Sequence, residues 1–474
     1  MNRYESKDPR TAGRTGPALE DAFGLIGRIV SADVAEGFPA AQLAVMRHGR
    51  LICSRSWGGA TEDTLFDLAS NTKMYTAAYA VQYLVTRGRL SPDTRITEIL
   101  GSRFADDTAD IAYANGTPSS ADQNKAWKRS LTVRDVMSHR AGFPANSWYY
   151  CRHYDFGLQK LAGEDAVNPL FCGYDGSPET RCATLDAICR TPLMYEPRTQ
   201  ILYSDADYML LCFVIEAIVR KPLDIWLRET FWQPMGLERV TFNPLEHGFL
   251  PEDCAPTELH GNTRDGAVMW EGIRTYPLRG EVHDEKAWYL MGGVSGHAGL
   301  FANARDLARL ASLMLDGTDR GIRYFDPAVI ALFTAPVDPE NDQWGIGWMR
   351  QGDLKRVKYF GTLCPDSVFG HQGWTGTLTV IDRAEELVIA FLTDKIATPV
   401  TDPTENPDMF DGNHYTAASL GFVTQLIYDA LRGVPFDADL DALVLKMRDQ
   451  AQSDPCPASD AALRAVLSVR NGRP

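Results

Sequence analysis

The chain has 474 residues, 45% of them hydrophobic and 10% aromatic, a composition that suits a folded globular protein too long for one simple core. Its 62 acidic and 47 basic side chains leave a formal charge of −15, which repels phosphate backbones and anionic lipid and argues against nucleic acid or a membrane surface as a partner. No segment approaches the ~20 apolar residues that a membrane span needs. Residues 18–36 then place Leu19, Phe23, Ile26, Ile29, Val30 and Val34 on one stripe, the pattern of an amphipathic helix. AQLAVMR, HGR and LICSRSW follow as strand, turn and strand. The short apolar run TLFDLA delivers the chain to SNTKMYTAAYAVQYLV, which reads as a helix. There Met74, Ala77, Ala78, Val81 and Leu84 fall on one face, and Gly88 supplies the stop.

From about residue 101 to 265 the loops NGTPSSADQN, CGYDGSPET and NPLEHGF alternate with short helical stretches such as TVRDVMSHR and ADYMLLCFVIEAIVR. Gly-rich GGVSGHAG then runs into a helix, NARDLARLASLML. GTLTVID, RAEE and LVIAFLT read as an antiparallel hairpin, and its two apolar runs point to a sheet covered on both faces. YTAASLGFVTQLIYDALRG reads as a helix ending at Gly433. Strands and helices at both ends of the chain, with helices between, predict an α/β (α+β) architecture. Its antiparallel sheet, flanked by helices, is expected from residues 18–100 and 266–433. A mainly helical domain is inserted at 101–265, and 434–474 form a polar C-terminal tail.

The opening MNRYESKDPRTAGRTGPALEDAF contains no apolar run of the signal-peptide kind, so the chain as written is expected in the cytoplasm, or in the periplasm if a leader was removed. Nine scattered cysteines, an odd number, fit reduced thiols better than a disulfide framework, and no Cys-x-x-Cys pair suggests a zinc site.

Ser70 and Lys73 stand in Ser-Asn-Thr-Lys at the entry of the strongest predicted helix. Three residues apart on a helix means one face, so the amine can reach the hydroxyl. A serine hydroxyl attacks an acyl carbon only once a base removes its proton, and a lysine of lowered pKa can be that base. A helix N-terminus adds N–H groups where an oxyanion forms. Ser70 is the only serine in the chain followed by Lys at this distance, and no Gly-x-Ser-x-Gly offers another nucleophile. Taken alone, the pair equally suits a capping serine followed by a solvated lysine.

Two further elements shift that balance. Tyr203-Ser204-Asp205 lies in the helical middle, and His371-Gln372-Gly373 opens the late hairpin. With Ser-x-x-Lys they resemble, in order and context, the three-part pattern of serine β-lactamases and penicillin-binding proteins. The phrases YSDADYMLL, NPLEHGF, TELHGNTR, GEVHDEKAWYLMGGVSGHAGLF and FGHQGWTGTLTVID are similar to the penicillin-binding protein 4B group. That group lies within the class C β-lactamase-like family of D-alanyl-D-alanine carboxypeptidase-type and esterase-type proteins. The similarity spans about residues 20–432 and implies a β-lactamase/transpeptidase-like fold.

The resemblance also implies roles. Ser70 attacks the acyl carbon, with Lys73 and Tyr203 sharing proton traffic as general base and acid. His371, where the superfamily often has lysine, supports Tyr203 electrostatically. The backbone N–H groups of Ser70 and Trp374 form the oxyanion hole, and Gly373 leaves room for substrate along the strand. Two departures stand out. Asp205 replaces a common Asn, and Gln372 replaces a common Thr whose hydroxyl helps hold a substrate carboxylate. Both disfavour carboxylate-terminated substrates, unless an arginine such as Arg274 or Arg279 supplies the grip. No cofactor and no metal are expected, and the substrate is a small molecule or a peptide.

Other candidates fare worse. His283, Asp284 and Glu285 are adjacent and so point different ways, a poor metal set. His297 is expected to pack and hydrogen-bond beside the site floor. The run Trp148, Tyr149, Tyr150 suits loop packing better than a substrate wall. The expected function is a serine hydrolase working through an acyl-enzyme on an ester or a D-amino-acid peptide or amide bond. A class C-type β-lactamase and a non-catalytic penicillin-binding sensor or scaffold are the alternatives.

Overall fold

The computed structural model describes residues 16–433 apart from 165, 339, 341 and 353–355, so the expected tail at 434–474 lies outside the described residues. In chain order, helix α1 (Pro17–Ala35) buries Leu19, Phe23, Ile26, Ile29 and Val30, as its stripe predicts. Strands β1 (Ala40–Arg47) and β2 (Arg50–Gly58) pair antiparallel. Between them His48 and Gly49 take φ of 50° and 70°, the two positive values that a tight two-residue hairpin demands. Strand β3 (Phe66–Asp67) leads into a 3₁₀ turn (Ala69–Asn71), a π-helical segment (Met74–Ala78) and helix α2 (Tyr79–Thr86).

Helix α3 (Asp205–Val219), strand β4 (Val240–Phe242), helix α4 (Glu285–Met291), strand β5 (Leu300–Ala302) and helix α5 (Ala304–Ala311) follow. Strands β6 (Met349–Arg350), β7 (Phe369–Gly373), β8 (Thr377–Asp382) and β9 (Leu387–Thr393) come next. A two-stranded hairpin, β10 (Val400–Asp402) and β11 (Asn406–Phe410), precedes helix α6 (Gly421–Leu431). The expected longer helix is shorter at its start, where Thr416–Ala418 form a separate 3₁₀ turn.

The main sheet is antiparallel with order β6-β7-β8-β9-β1-β2, so the two chain ends meet at the β9–β1 seam. Side chains alternate across a strand, and here both sets are apolar. Leu43, Val45, Ile389 and Phe391 join the core shared with α1 and α6. Ala44, Met46, Val388, Ala390 and Leu392 join the core on the opposite face. Helix α5 packs on that second face. The two-sided cover expected from LVIAFLT is present.

The second core continues without a break from the sheet through Met74–Val81 to Leu210, Trp226 and Phe231, in the segment expected to be inserted. This explains a departure from the one-faced helix read in SNTKMYTAAYAVQYLV. Tyr75, Thr76, Tyr79, Ala80 and Gln82 are as buried as the predicted face. A helix in contact with protein on every side has no solvent stripe to show. Two helices with little apolar periodicity, Ala121–Ser130 and Pro178–Arg190, are started by Ser120 and Ser177, whose hydroxyls accept from Gln123 and Thr180 N–H groups. Among the described residues, no helix is long and apolar enough to cross a membrane.

Candidate active site

Ser70 occupies the middle of the 3₁₀ turn between β3 and the buried helix. Ala69 before it takes φ 44°, a left-handed conformation that persists only where the surroundings enforce it. They do so here. The Asp67 carboxylate accepts the Ala69 N–H at 2.8 Å and the His283 N–H at 2.7 Å. Thr375 Oγ1 donates to the Asp67 carbonyl at 2.8 Å, and Thr377 Oγ1 to the Leu68 carbonyl at 2.9 Å. Asn71 donates to Thr377 Oγ1 at 3.1 Å and accepts from Thr379 Oγ1 at 2.9 Å. Strand β8 is thereby stitched to the turn that carries the serine. Gly373 belongs to the same contact: a Cβ there would stand 2.2 Å from Thr377 Oγ1 and 2.3 Å from the Leu68 carbonyl oxygen. Room for the turn requires glycine here.

Lys73 is fully buried, and each of its three N–H groups has an acceptor. Nζ donates to Ser70 Oγ at 2.9 Å, to Asp205 Oδ1 at 2.8 Å and to the His297 carbonyl at 3.2 Å. Burial works against the ammonium, but Asp205 and Tyr203 outweigh it and raise its pKa. The second oxygen of Asp205 accepts from Lys286 Nζ at 3.1 Å. Burial opposes the Asp205 carboxylate, yet the two ammonium groups hold it well below the usual carboxylate range.

Tyr203 brings its ring centroid to 4.8 Å from Lys73 Nζ. Its hydroxyl is buried and makes no hydrogen bond of ordinary geometry among the described residues. Burial pushes the phenol up, and Lys73 works against that shift. The His371 ring lies 6.1 Å from the Tyr203 ring. Its Nδ1–H donates to the Gln372 carbonyl at 2.7 Å. Burial, with help from the Lys73 charge, pushes the His371 pKa down to about 3, so it acts on Tyr203 as a neutral ring.

A histidine that the sequence did not single out stacks on the other side. His139 lies 4.4 Å from the Tyr203 ring, and its Nδ1 meets Asp207 Oδ2 at 2.8 Å and the Ser204 N–H at 3.2 Å. Burial drives the His139 pKa down and that of Asp207 up, which makes them a neutral acid–imidazole pair. Its sequence signal was faint: one His after a short helix, 68 residues from its partner.

Trp374 is held between the His283 ring, stacked at 4.9 Å, and the Arg264 guanidinium, 4.8 Å from its centroid. Arg264 also binds Glu258, Glu285 and Asp408. Gln372 is half-buried on the same strand. The two arginines considered for a carboxylate grip are committed elsewhere. Arg274 donates to Asn262 and to the Val282 carbonyl, and Arg279 to the Cys254 carbonyl.

His283, Asp284 and Glu285 do point three ways: to Glu258, to His297 and to Arg264. His297 takes Ser295 on one nitrogen and Asp284 on the other, each at 2.7 Å, under the floor expected for it. Tyr149 and Tyr150 are buried, and Trp148 stacks on Tyr150 and Tyr154, so the aromatic run is packing. Asp205, Asp284 and His297 bring possible ligand atoms within 4.8 Å of one another. Lys73 and Lys286 already supply Asp205 with the positive charge a metal ion would bring, so this donor set does not fit one.

The fold thus gathers Ser70, Lys73 and Tyr203, from two separate segments, about one buried ammonium. A family model described as Beta-lactamase matches residues 26–414. The chain belongs to the Beta-lactamase family. It is a serine hydrolase of that family. An Escherichia coli (strain K12) protein named "Putative D-alanyl-D-alanine carboxypeptidase" is 38% identical over 421 residues, 85% of this chain and 89% of that protein. Among solved structures, "EstCE1, a hydrolase with promiscuous acyltransferase activity" has a TM-score of 0.58 at 18% identity, covering 87% of this chain and 98% of that one. A penicillin-binding protein homologue from Caulobacter crescentus also has a TM-score of 0.58 at 18% identity, with 88% and 99% covered. These two similarities show the β-lactamase/transpeptidase-like fold of this family member.

Proposed function

We propose that this hydrolase cleaves an ester or a D-amino-acid peptide or amide bond through an acyl-enzyme on Ser70. The observation that carries the proposal is the 2.9 Å hydrogen bond from the buried Lys73 ammonium to Ser70 Oγ. With Lys73 an ammonium and Tyr203 a phenol at rest, one proton must leave this pair before it can take the proton of Ser70. Tyr203 then returns a proton to the leaving group. The N–H groups of Ser70 and Trp374 stabilise the oxyanion. His371 lends a neutral acceptor nitrogen, and Asp205 holds Lys73 in place.

The D-alanyl-D-alanine carboxypeptidase name of the Escherichia coli relative and the acyl chemistry of EstCE1 support these two substrate classes. Turnover of p-nitrophenyl acetate and butyrate, beside nitrocefin and a D-Ala-D-Ala peptide, tests the proposal. Cleavage of an ester or the peptide, lost in Ser70→Ala, is expected; no turnover of any of them would overturn it. The proposed organisation keeps residues 101–265 as an insertion in chain order that shares a core with the sheet. Eight free cysteines among the described residues support a compartment that keeps thiols reduced.

A further inference from the structure

We propose that Lys286 is a positioning residue for acylation: by holding the second oxygen of Asp205, it makes that carboxylate the shared counter-ion of two ammonium groups and lets Lys73 release its proton. The inference rests on the acyl-enzyme reading above and assigns a role to a residue outside its three motifs.

The geometry is a buried bridge, Lys73 Nζ to Asp205 Oδ1 at 2.8 Å and Lys286 Nζ to Asp205 Oδ2 at 3.1 Å. Side-chain exposure is 0% for Lys73, 18% for Asp205 and 9% for Lys286, so solvent screens these charges weakly. A lone carboxylate beside Lys73 would bind its proton tightly, since an opposite charge within ~4–6 Å favours the charged form. A second cation on the far oxygen acts in the reverse direction. Ser70 acylation needs a base, and Lys286 offsets the anion that opposes one.

Besides the two ammonium groups, the His297 imidazole also favours the Asp205 carboxylate, from a ring that Asp284 holds at 2.7 Å. Lys73 faces Tyr203 from the segment before α3, Tyr208 from α3, and neutral His139 and His371, the last of which also feels the charge of Arg356. Protonated Asp207 adds no charge. Lys286 faces Asp284, Glu285 and Tyr154, and the Asp284 carboxylate is itself bound by His297 at 2.7 Å. The only ammonium that touches Asp205 besides Lys73, among the described residues, is Lys286.

The test compares wild type with Lys286→Met, Lys286→Arg and the double variant Asp205→Asn/Lys286→Met. Two readouts are taken across pH: the rate of Ser70 phosphonylation by a fluorophosphonate, and the Lys73 titration midpoint from ¹³Cε-labelled lysine NMR, assigned with Lys73→Arg. In Lys286→Met both midpoints should rise by about 1–2 pH units, with the high-pH plateau rate kept. Labelling at neutral pH then falls about 10–100-fold. Lys286→Arg should restore most of the loss. The double variant, with no anion to compensate, should return to or below the wild-type midpoint. Unmoved midpoints with a rate loss equal at every pH, or a double variant no better than Lys286→Met, would overturn the inference. Should Lys286→Met not fold, the double variant still decides it, because a midpoint above wild type there contradicts the bridge. The NMR midpoint is independent of any reaction at Ser70, so a failure of the acyl-enzyme reading shows separately, as absent labelling of wild type.

Discussion

Thr377 Oγ1 donates to the Leu68 carbonyl at 2.9 Å, joining residues 309 apart in the chain and tying the late hairpin to the turn that presents Ser70. The same hydroxyl accepts from Asn71 Nδ2, so its loss strips that buried amide of its acceptor, while the Leu68 carbonyl keeps only the Asn71 N–H at 3.0 Å. Thr377→Val should cost about 1–3 kcal/mol in urea unfolding. It should also lower kcat more than it raises KM, because this stitch holds the turn that carries Ser70. A stability loss with kcat unchanged would show that the stitch serves the fold alone.

Ser70→Ala should abolish ester turnover while leaving the fold intact, since the hydroxyl accepts one hydrogen bond from a lysine that keeps two others. Mass spectrometry after fluorophosphonate treatment of wild type should find the adduct on Ser70. An adduct elsewhere, with the variant still active, sinks the assignment.

Tyr203→Phe separates chemistry from packing. The Tyr203 hydroxyl has no ordinary hydrogen bond among the described residues, so its removal should barely change the melting temperature. Turnover should fall about 10²–10⁴-fold if this phenol carries protons. Equal activity in the variant would take Tyr203 out of the mechanism.

His371 should leave a mark on stability rather than on the acid limb of activity. Its pKa is about 3 in the folded chain against an ordinary 6.5, so the unfolded state binds the extra proton between those values. The neutral ring's contribution is therefore complete above about pH 6.5 and lost progressively as pH falls toward 3. His371→Gln should remove about one proton from the pH dependence of unfolding, a slope of about 1.4 kcal/mol per pH unit. His139, also held neutral, keeps its own share. Denaturant unfolding from pH 7 to pH 4 reads the difference, and identical slopes would contradict a neutral His371.

Small esters should be cleaved with higher kcat/KM than nitrocefin. The expected repulsion of a substrate carboxylate by Asp205 is offset, because Lys73 and Lys286 share that charge. The preference now rests on Gln372, which lacks the compact hydroxyl that helps grip a carboxylate. Gln372→Thr should raise nitrocefin kcat/KM about tenfold relative to p-nitrophenyl acetate, equivalent to about 1.4 kcal/mol. Faster cleavage of nitrocefin or a D-Ala-D-Ala peptide by wild type would show that Gln372 is no obstacle.

Local features were legible before any coordinates. The Ser70–Lys73 spacing places both side chains together through helix geometry alone, and they do meet at 2.9 Å. The His48–Gly49 turn and the continuous apolar runs on either side of RAEE declared the hairpins in the same way, because a short unbroken apolar run between turn residues is the mark of a strand covered on both faces. What only the tertiary structure decided depends on residues that no local period relates. Lys286 reaches Asp205 across 81 residues, and His139 meets Asp207 across 68. The need for glycine at 373 comes from the Leu68 carbonyl pressed against it. Charge states followed the same division: burial, which only packing sets, makes His371 neutral, and two ammonium groups brought together by the fold keep Asp205 ionised.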